Sequence, residues 1–161
     1  MKGGNPGAVI HLTLRSPMTT VHRPEADRAD ARRGAIATLS GLGALLSLGV
    51  LVIHVIDQKG IFALKDPTYI GVLYWVLEAA AGLAIVSLLV PSVAARLGGW
   101  TLALGVGAGP IIAFCLSRGP GLPNYTDDKG NWTEPIGVAS LIVEGLLVLL
   151  SLYALSRGRR A

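Results

Sequence analysis

Four stretches, at about 34–56, 69–90, 97–117 and 136–156, are almost wholly apolar. Each is close to the roughly 20 residues a helix needs to cross about 30 Å of hydrocarbon. No other feature restricts the fold so severely. In lipid, every backbone N–H and C=O of a span must be satisfied within that span, so helix is the state these segments can adopt. A transmembrane barrel would need shorter segments of alternating polarity, and the sequence has none. The predicted class is all-α: a polytopic membrane protein whose four-helix transmembrane bundle forms one domain over 34–156.

Composition agrees. Only 15% of the 161 residues are charged, where a soluble domain carries about a quarter, and mean hydropathy is +0.57. The charges crowd into the ends and the connections. Cys115 is the lone cysteine, and Met1 and Met18 are the two methionines, which excludes a disulfide framework and a soft-metal site built on sulfur. No Ser/His/Asp order, phosphate loop, zinc spacing or haem histidine pair occurs, so no enzymatic activity, cofactor or metal is expected. "DDKGN" (Asp127 to Asn131) lacks the spacing and terminal glutamate of a calcium loop. Asn124-Tyr-Thr126 and Asn131-Trp-Thr133 are formal glycosylation sequons, meaningful in a secretory eukaryotic host.

Basic residues divide unevenly between the two sides. Lys2, Arg15, Arg23, Arg28, Arg32, Arg33, Arg96, Arg157, Arg159 and Arg160 fall on one, and Lys59, Lys65, Arg118 and Lys129 on the other. The positive-inside rule then predicts cytoplasmic N- and C-termini. The first span follows a charged segment and ends in "VIHVIDQKG" without a small-residue cleavage site, so it reads as a membrane helix rather than a signal peptide. Residues 1–33 are rich in Arg, Asp, Gly and Pro without apolar periodicity, which predicts a disordered basic tail able to touch anionic headgroups. Acids interleave its basic residues and no aromatic platform exists, so nucleic acid is not an expected partner. Met18 is a second candidate start. Residues 157–161 form a basic cytoplasmic C-terminus.

Interface residues match four spans. Tyr69, Tyr125 and Trp132 fall at the outer ends and Trp100 and Tyr153 near the inner ones, as in an aromatic belt. Pro91 stops the second helix, while Thr133 and Pro135 fit a cap and a first-turn proline for the fourth. Pro110 removes a ladder bond inside the third and predicts a kink. Gly105 and Gly109 make a GxxxG, a pattern that lets helices approach closely.

Shifting the chain by 66 residues aligns Ile70, Gly71, Val72 and Glu78 with Ile136, Gly137, Val138 and Glu144. Ala37, Gly41 and Gly43 then meet Ala103, Gly107 and Gly109. A duplicated two-helix hairpin is the implied origin, its repeats related by an axis along the membrane normal.

The two glutamates are the residues that most need explaining. A carboxylate near the bilayer centre costs several kcal/mol, and such residues face a bundle interior or a wet cavity. Helical spacing gathers Gly137, Ser140 and Ser151 around Glu144, and Gly71, Tyr74, Ala81 and Gly82 around Glu78, so both are predicted to face inward. In the first span Ser40, Gly43, Ser47 and His54 share one stripe, with His54 about 10 Å above the glutamates. His54, Glu78, Glu144, Ser140 and Arg118 are thus the candidate intramembrane polar or proton-binding residues. Three readings stand side by side: protonated glutamates gluing helices through Ser140 or Tyr74, a cation or proton site, or a polar patch for a partner. His54 alone fits an interfacial position as readily as a ligand, and Arg118 is placed to pair with Asp127, Asp128 or Glu134 in its own loop.

"SRGPGLPNYTDDKGNWTEPIGVASLIVEG" (Ser117 to Gly145), the end of the first span with His54, and "PTYIGVLYWVLEAAAGL" (Pro67 to Leu83) resemble small four-helix membrane proteins of actinobacteria. The resemblance covers roughly 34–156. It implies a bacterial plasma membrane and transfers no catalytic residue. A glutamine-like residue is commoner in that group where Glu78 stands, which weakens a paired-carboxylate site. The leading functional expectation is a non-enzymatic accessory or assembly component with a polar bundle interior. The alternative is a proton- or cation-coupled carrier of a small solute that uses the buried glutamates. Expected partners are the lipid bilayer and either further copies of the chain or another membrane protein.

Overall fold

The computed structural model describes residues 24–158, which form four helices. These are α1 (Pro24–Gln58), α2 (Thr68–Leu89), α3 (Val93–Arg118) and α4 (Pro135–Gly158). Among the described residues the sole β feature is an isolated bridge between Leu122 and Tyr125. All four helices are long and apolar enough to cross a membrane. The chain is an all-α, multi-pass membrane protein built as a four-helix bundle.

The helix ends follow local chemistry, and three depart from the sequence expectation. α1 starts at Pro24, so residues 24–33 are helical rather than part of a disordered tail. Proline suits a first turn, Glu25 and Asp27 lie at the positive end of the helix dipole, and the Ala- and Arg-rich segment that follows favours helix. Residues 1–23, with Met18, lie outside the described residues. At the far end of α1, Lys59 (φ 68°) and Gly60 (φ 129°) turn left-handed. Their amides donate back to the carbonyls of Ile56 and Val55, which satisfies the last turn. α3 begins at Val93, four residues before its apolar run, because Ser92 caps it, its Oγ accepting from the Ala95 amide at 3.4 Å. It then continues as helix through Pro110. At α4 the Val138 amide donates to the Glu134 carbonyl at 2.9 Å. Glu134 therefore holds the cap position expected for Thr133.

The helices form a ring in chain order, with α1 also touching α3 across the centre, while α2 and α4 make no contact. Small side chains fill the centre: Ala44, Ala81, Ala84 and Ala103 pack with Val50, Leu88, Val106 and Leu147. Large apolar residues such as Leu45, Leu83, Ile142 and Leu149 point outward, as expected when lipid is the solvent.

The two hairpins are closed at one end and spread at the other. Near the termini, Trp100 is buried, and a Cβ on Gly43 would lie 2.5 Å from its ring. Trp100 is therefore a core residue holding α1 against α3, not the interfacial anchor the belt pattern predicts. Gly99 presses on α2, where a Cβ would come within 3.0 Å of the Leu88 nitrogen. At the opposite end lie the connections 59–67 and 119–134, the second tied to the first turn of α2 where the Tyr69 hydroxyl donates to the Pro123 carbonyl at 2.6 Å.

Candidate functional site

Between the spread hairpins, toward the loop end, lies a cavity of about 490 Å3 lined by all four helices and both long connections. Its volume falls within the range of small-ligand sites. The gap exists because α2 and α4, its opposite walls, do not touch.

Glu144 lies on its wall. It sits on the buried stripe Ser140, Glu144, Leu147, Ser151 of α4, and 1% of its surface is exposed. Ser140, one turn earlier, donates from Oγ to Glu144 Oε1 at 2.5 Å. From α1, His54 Nε2 reaches within 3.7 Å of the same oxygen. Backbone depth suggested a wide separation of these two residues. Two long side chains pointing at each other close it.

The histidine's second nitrogen fixes its role. Nδ1 lies 2.9 Å from the Val50 carbonyl, an atom that can only accept, so Nδ1 carries a hydrogen. Nε2 is then either bare or protonated, and it faces a carboxyl oxygen. The pair can hold one exchangeable proton on either partner. Second partners of this kind set which nitrogen is available.

Nearer the loops stand two charged clusters. In the first, Lys65 Nζ lies 2.5 Å from Asp57 Oδ2 and 3.1 Å from the Tyr74 hydroxyl. The Tyr74 hydroxyl donates to the same Asp57 oxygen, and the Tyr74 ring stacks at a tilt on His54 with centroids 5.4 Å apart. In the second, Arg118 places Nη1 2.9 Å from Asp128 Oδ2 and 2.9 Å from Ser117 Oγ, and its Nη2 on Glu134. Its guanidinium lies 4.4 Å from the Phe114 ring centroid, and 10% of the side chain is exposed. Arg118 thereby organises the 119–134 connection, which also returns a backbone bond from the Gly130 amide to the Arg118 carbonyl at 2.8 Å. Tyr125 donates to Asp128 at 2.8 Å. Burial and the adjacent Asp128 carboxylate push the Tyr125 hydroxyl above its ordinary pKa, so it stays a donor.

Of the five residues singled out from sequence, the cavity brings together His54, Glu144, Ser140 and Arg118. Glu78 is elsewhere. It is half-buried, outside the lining, and its Oε1 is covered without a hydrogen-bond partner among the described residues. The lining face of α2 carries Ile70, Leu73, Tyr74, Val76, Leu77 and Ala80; Glu78, about 100° around the helix from Leu77 and about 40° beyond Tyr74, lies past the edge of that face. Tyr74, a suggested partner of a glutamate, bonds to Asp57 instead. Asp57, Lys65 and Tyr74 were not foreseen as a unit, although Asp57 follows His54 by three residues and so shares its helix face. Gln58 was missed as well. It is 2% exposed, and its Nε2 donates to the Ala63 carbonyl at 2.5 Å, pinning the 59–67 connection.

The GxxxG glycines also differ from expectation. A Cβ at Gly105 or Gly109 would meet nothing within 4 Å. They line the cavity rather than a helix contact. No family model, curated protein or solved structure matches this chain, so the meaning of the site rests on its own chemistry.

Proposed function

We propose that the protein binds a small solute in this cavity and couples its occupancy to a proton held by Glu144 and His54, as a proton-linked membrane carrier does. One observation carries the reading: a buried carboxyl and an imidazole with a free nitrogen face each other at 3.7 Å on the wall of an open, solute-sized space. A glutamate serving only as glue needs no such cavity. Carboxyl and histidine groups placed inside spans are the usual elements of proton relays.

The membrane is the bacterial plasma membrane in this reading, with the loop end outside and both termini in the cytoplasm. The skewed distribution of Lys and Arg supports that orientation. The cavity then opens toward the exterior half of the bilayer.

The test uses proteoliposomes loaded with a pH-sensitive dye and challenged with a panel of small organic solutes. Wild-type protein should show solute-dependent proton movement, and Glu144→Gln should lose it while melting at an unchanged temperature. Undiminished proton movement in that folded variant refutes the proposal.

A second reading, an accessory or assembly subunit, draws on a different feature. The first turns of α1, residues 25–35, are exposed and carry both signs of charge, a shape suited to a partner helix at the terminal end. Deleting residues 1–33 should release such a partner in a crosslinking pull-down while leaving the cavity intact.

A further inference from the structure

The cavity has a side door and a charge, and together they define what fits it. Leu73 and Val76 of α2 and Thr101, Gly105, Gly109 and Ala113 of α3 line it, and all six are exposed while the rest of the lining is buried or half-buried. The seam between α2 and α3 is therefore open at these levels, below the loop connections. It closes at Gly99, where α3 meets Leu88. Residues exposed at such a level in a membrane bundle face hydrocarbon, so the seam leads from the lipid into the cavity.

The polar lining nearer the loops is acidic. Lys65 is matched by Asp57, and Arg118 is matched by Asp128 and Glu134 together. The lining thus carries one surplus carboxylate before Glu144 is counted. Among the described residues, the charged and titratable groups that line the cavity with Glu144 are His54 and Asp57 of α1, Lys65 of the first connection, Tyr74 of α2, Arg118 of α3, and Tyr125, Asp128 and Glu134 of the second connection. No cation of the set is left without an acidic neighbour.

We infer that the ligand is a lipophilic organic cation, a hydrophobic amine or quaternary onium ion, that enters from the bilayer between α2 and α3 and sets its charge against Glu144. The apolar body lies along Leu73, Val76 and Leu77. The proton leaves as the cation arrives, because both compete for the same carboxylate. This inference rests on the proposed function and adds the substrate class and the route.

Its test is binding to the full-length protein in nanodiscs, using tetraphenylphosphonium and, as a control of the same shape and opposite charge, tetraphenylborate. The cation should bind at least about tenfold more tightly than the anion, since a unit charge near a carboxylate in a partly buried site readily exceeds that ratio. Its affinity should fall as the pH is lowered, because protons and the cation compete for the same carboxylate. Glu144→Gln should remove that pH dependence. Gly105→Leu should fill the seam, where a Cβ meets nothing, and weaken cation binding without lowering the melting temperature. Equal binding of the two ions, or Gly105→Leu binding like wild type, overturns the inference. Solute-driven proton movement without cation preference would sink the substrate class alone, whereas its persistence in Glu144→Gln would sink the underlying proton-coupling proposal.

Discussion

The two hairpins carry the same short pattern, yet their glutamates live in different surroundings. Glu144 is 1% exposed, accepts from Ser140, and faces His54 across a cavity. Glu78, 66 residues earlier in the same I-G-V-x5-E setting, is half-buried with an oxygen that no described residue satisfies. The glycines diverge in the same way. Gly107 packs directly on α4, where a Cβ would lie 2.9 Å from the Glu144 carbonyl, while its counterpart Gly41 has open space; in the first hairpin the tight position is Gly43. A repeat in sequence has therefore not produced a repeat in environment. What decides a residue's role is the helix opposite it, and α4 faces a gap toward α2 that gives Glu144 a cavity to serve.

The largest effect that tests this asymmetry is functional. Glu144→Gln should abolish solute-dependent proton movement in proteoliposomes, whereas Glu78→Gln should keep it; equal losses in both would restore the symmetric, paired-carboxylate picture. The glycines come next. Gly107→Val must push backbone against backbone, so the detergent-solubilised protein should lose about 1–3 kcal/mol, read as a fall in melting midpoint. Gly41→Ala, its repeat partner, should be neutral or slightly stabilising because alanine favours helix by about 0.5–1 kcal/mol over glycine.

A further variant probes the loop inside the second hairpin. Arg118→Gln leaves Asp128 and Glu134 without their shared cation. It should cost about 2 kcal/mol, tempered by the partial exposure of both acids, and should speed tryptic cleavage after Lys129. The smallest effect belongs to Glu78→Gln, whose stability change should stay within about 0.5 kcal/mol. A large loss there would mean that Glu78 has a partner in the membrane.

Most of the architecture could be read from the chain before any coordinates. Span length and apolarity dictate four helices, because lipid leaves no alternative for the backbone, and each observed helix covers nearly all of its apolar run. Helical spacing placed Ser40, Gly43 and Ser47 inside, and they are buried. The site was legible only in part. Ser140 and Glu144 share one helix face, which spacing reveals. The approach of His54 to Glu144 depends on how α1 and α4 cross and on side-chain reach, and neither is encoded in a one-helix pattern. Glu78 lies outside the cavity for a related reason: a small-residue face marks proximity to some helix, not to the cavity. Trp100 shows the limit of position-based reasoning, since a tryptophan near a helix end reads as an interface anchor unless a glycine such as Gly43 makes room for its ring.

The most direct test asks whether the polar interior is reachable. With Cys115→Ser to remove the native thiol, Ser140→Cys places a near-isosteric probe on the cavity wall beside Glu144. In proteoliposomes of known orientation, a charged, membrane-impermeant thiol reagent added from the loop side should label it quickly, and the cationic form should react faster than the anionic one. Absence of labelling by any reagent would mean that Glu144 faces a dry helix contact and that no accessible cavity exists, and labelling solely by lipid-soluble reagents would contradict an opening to water on the loop side.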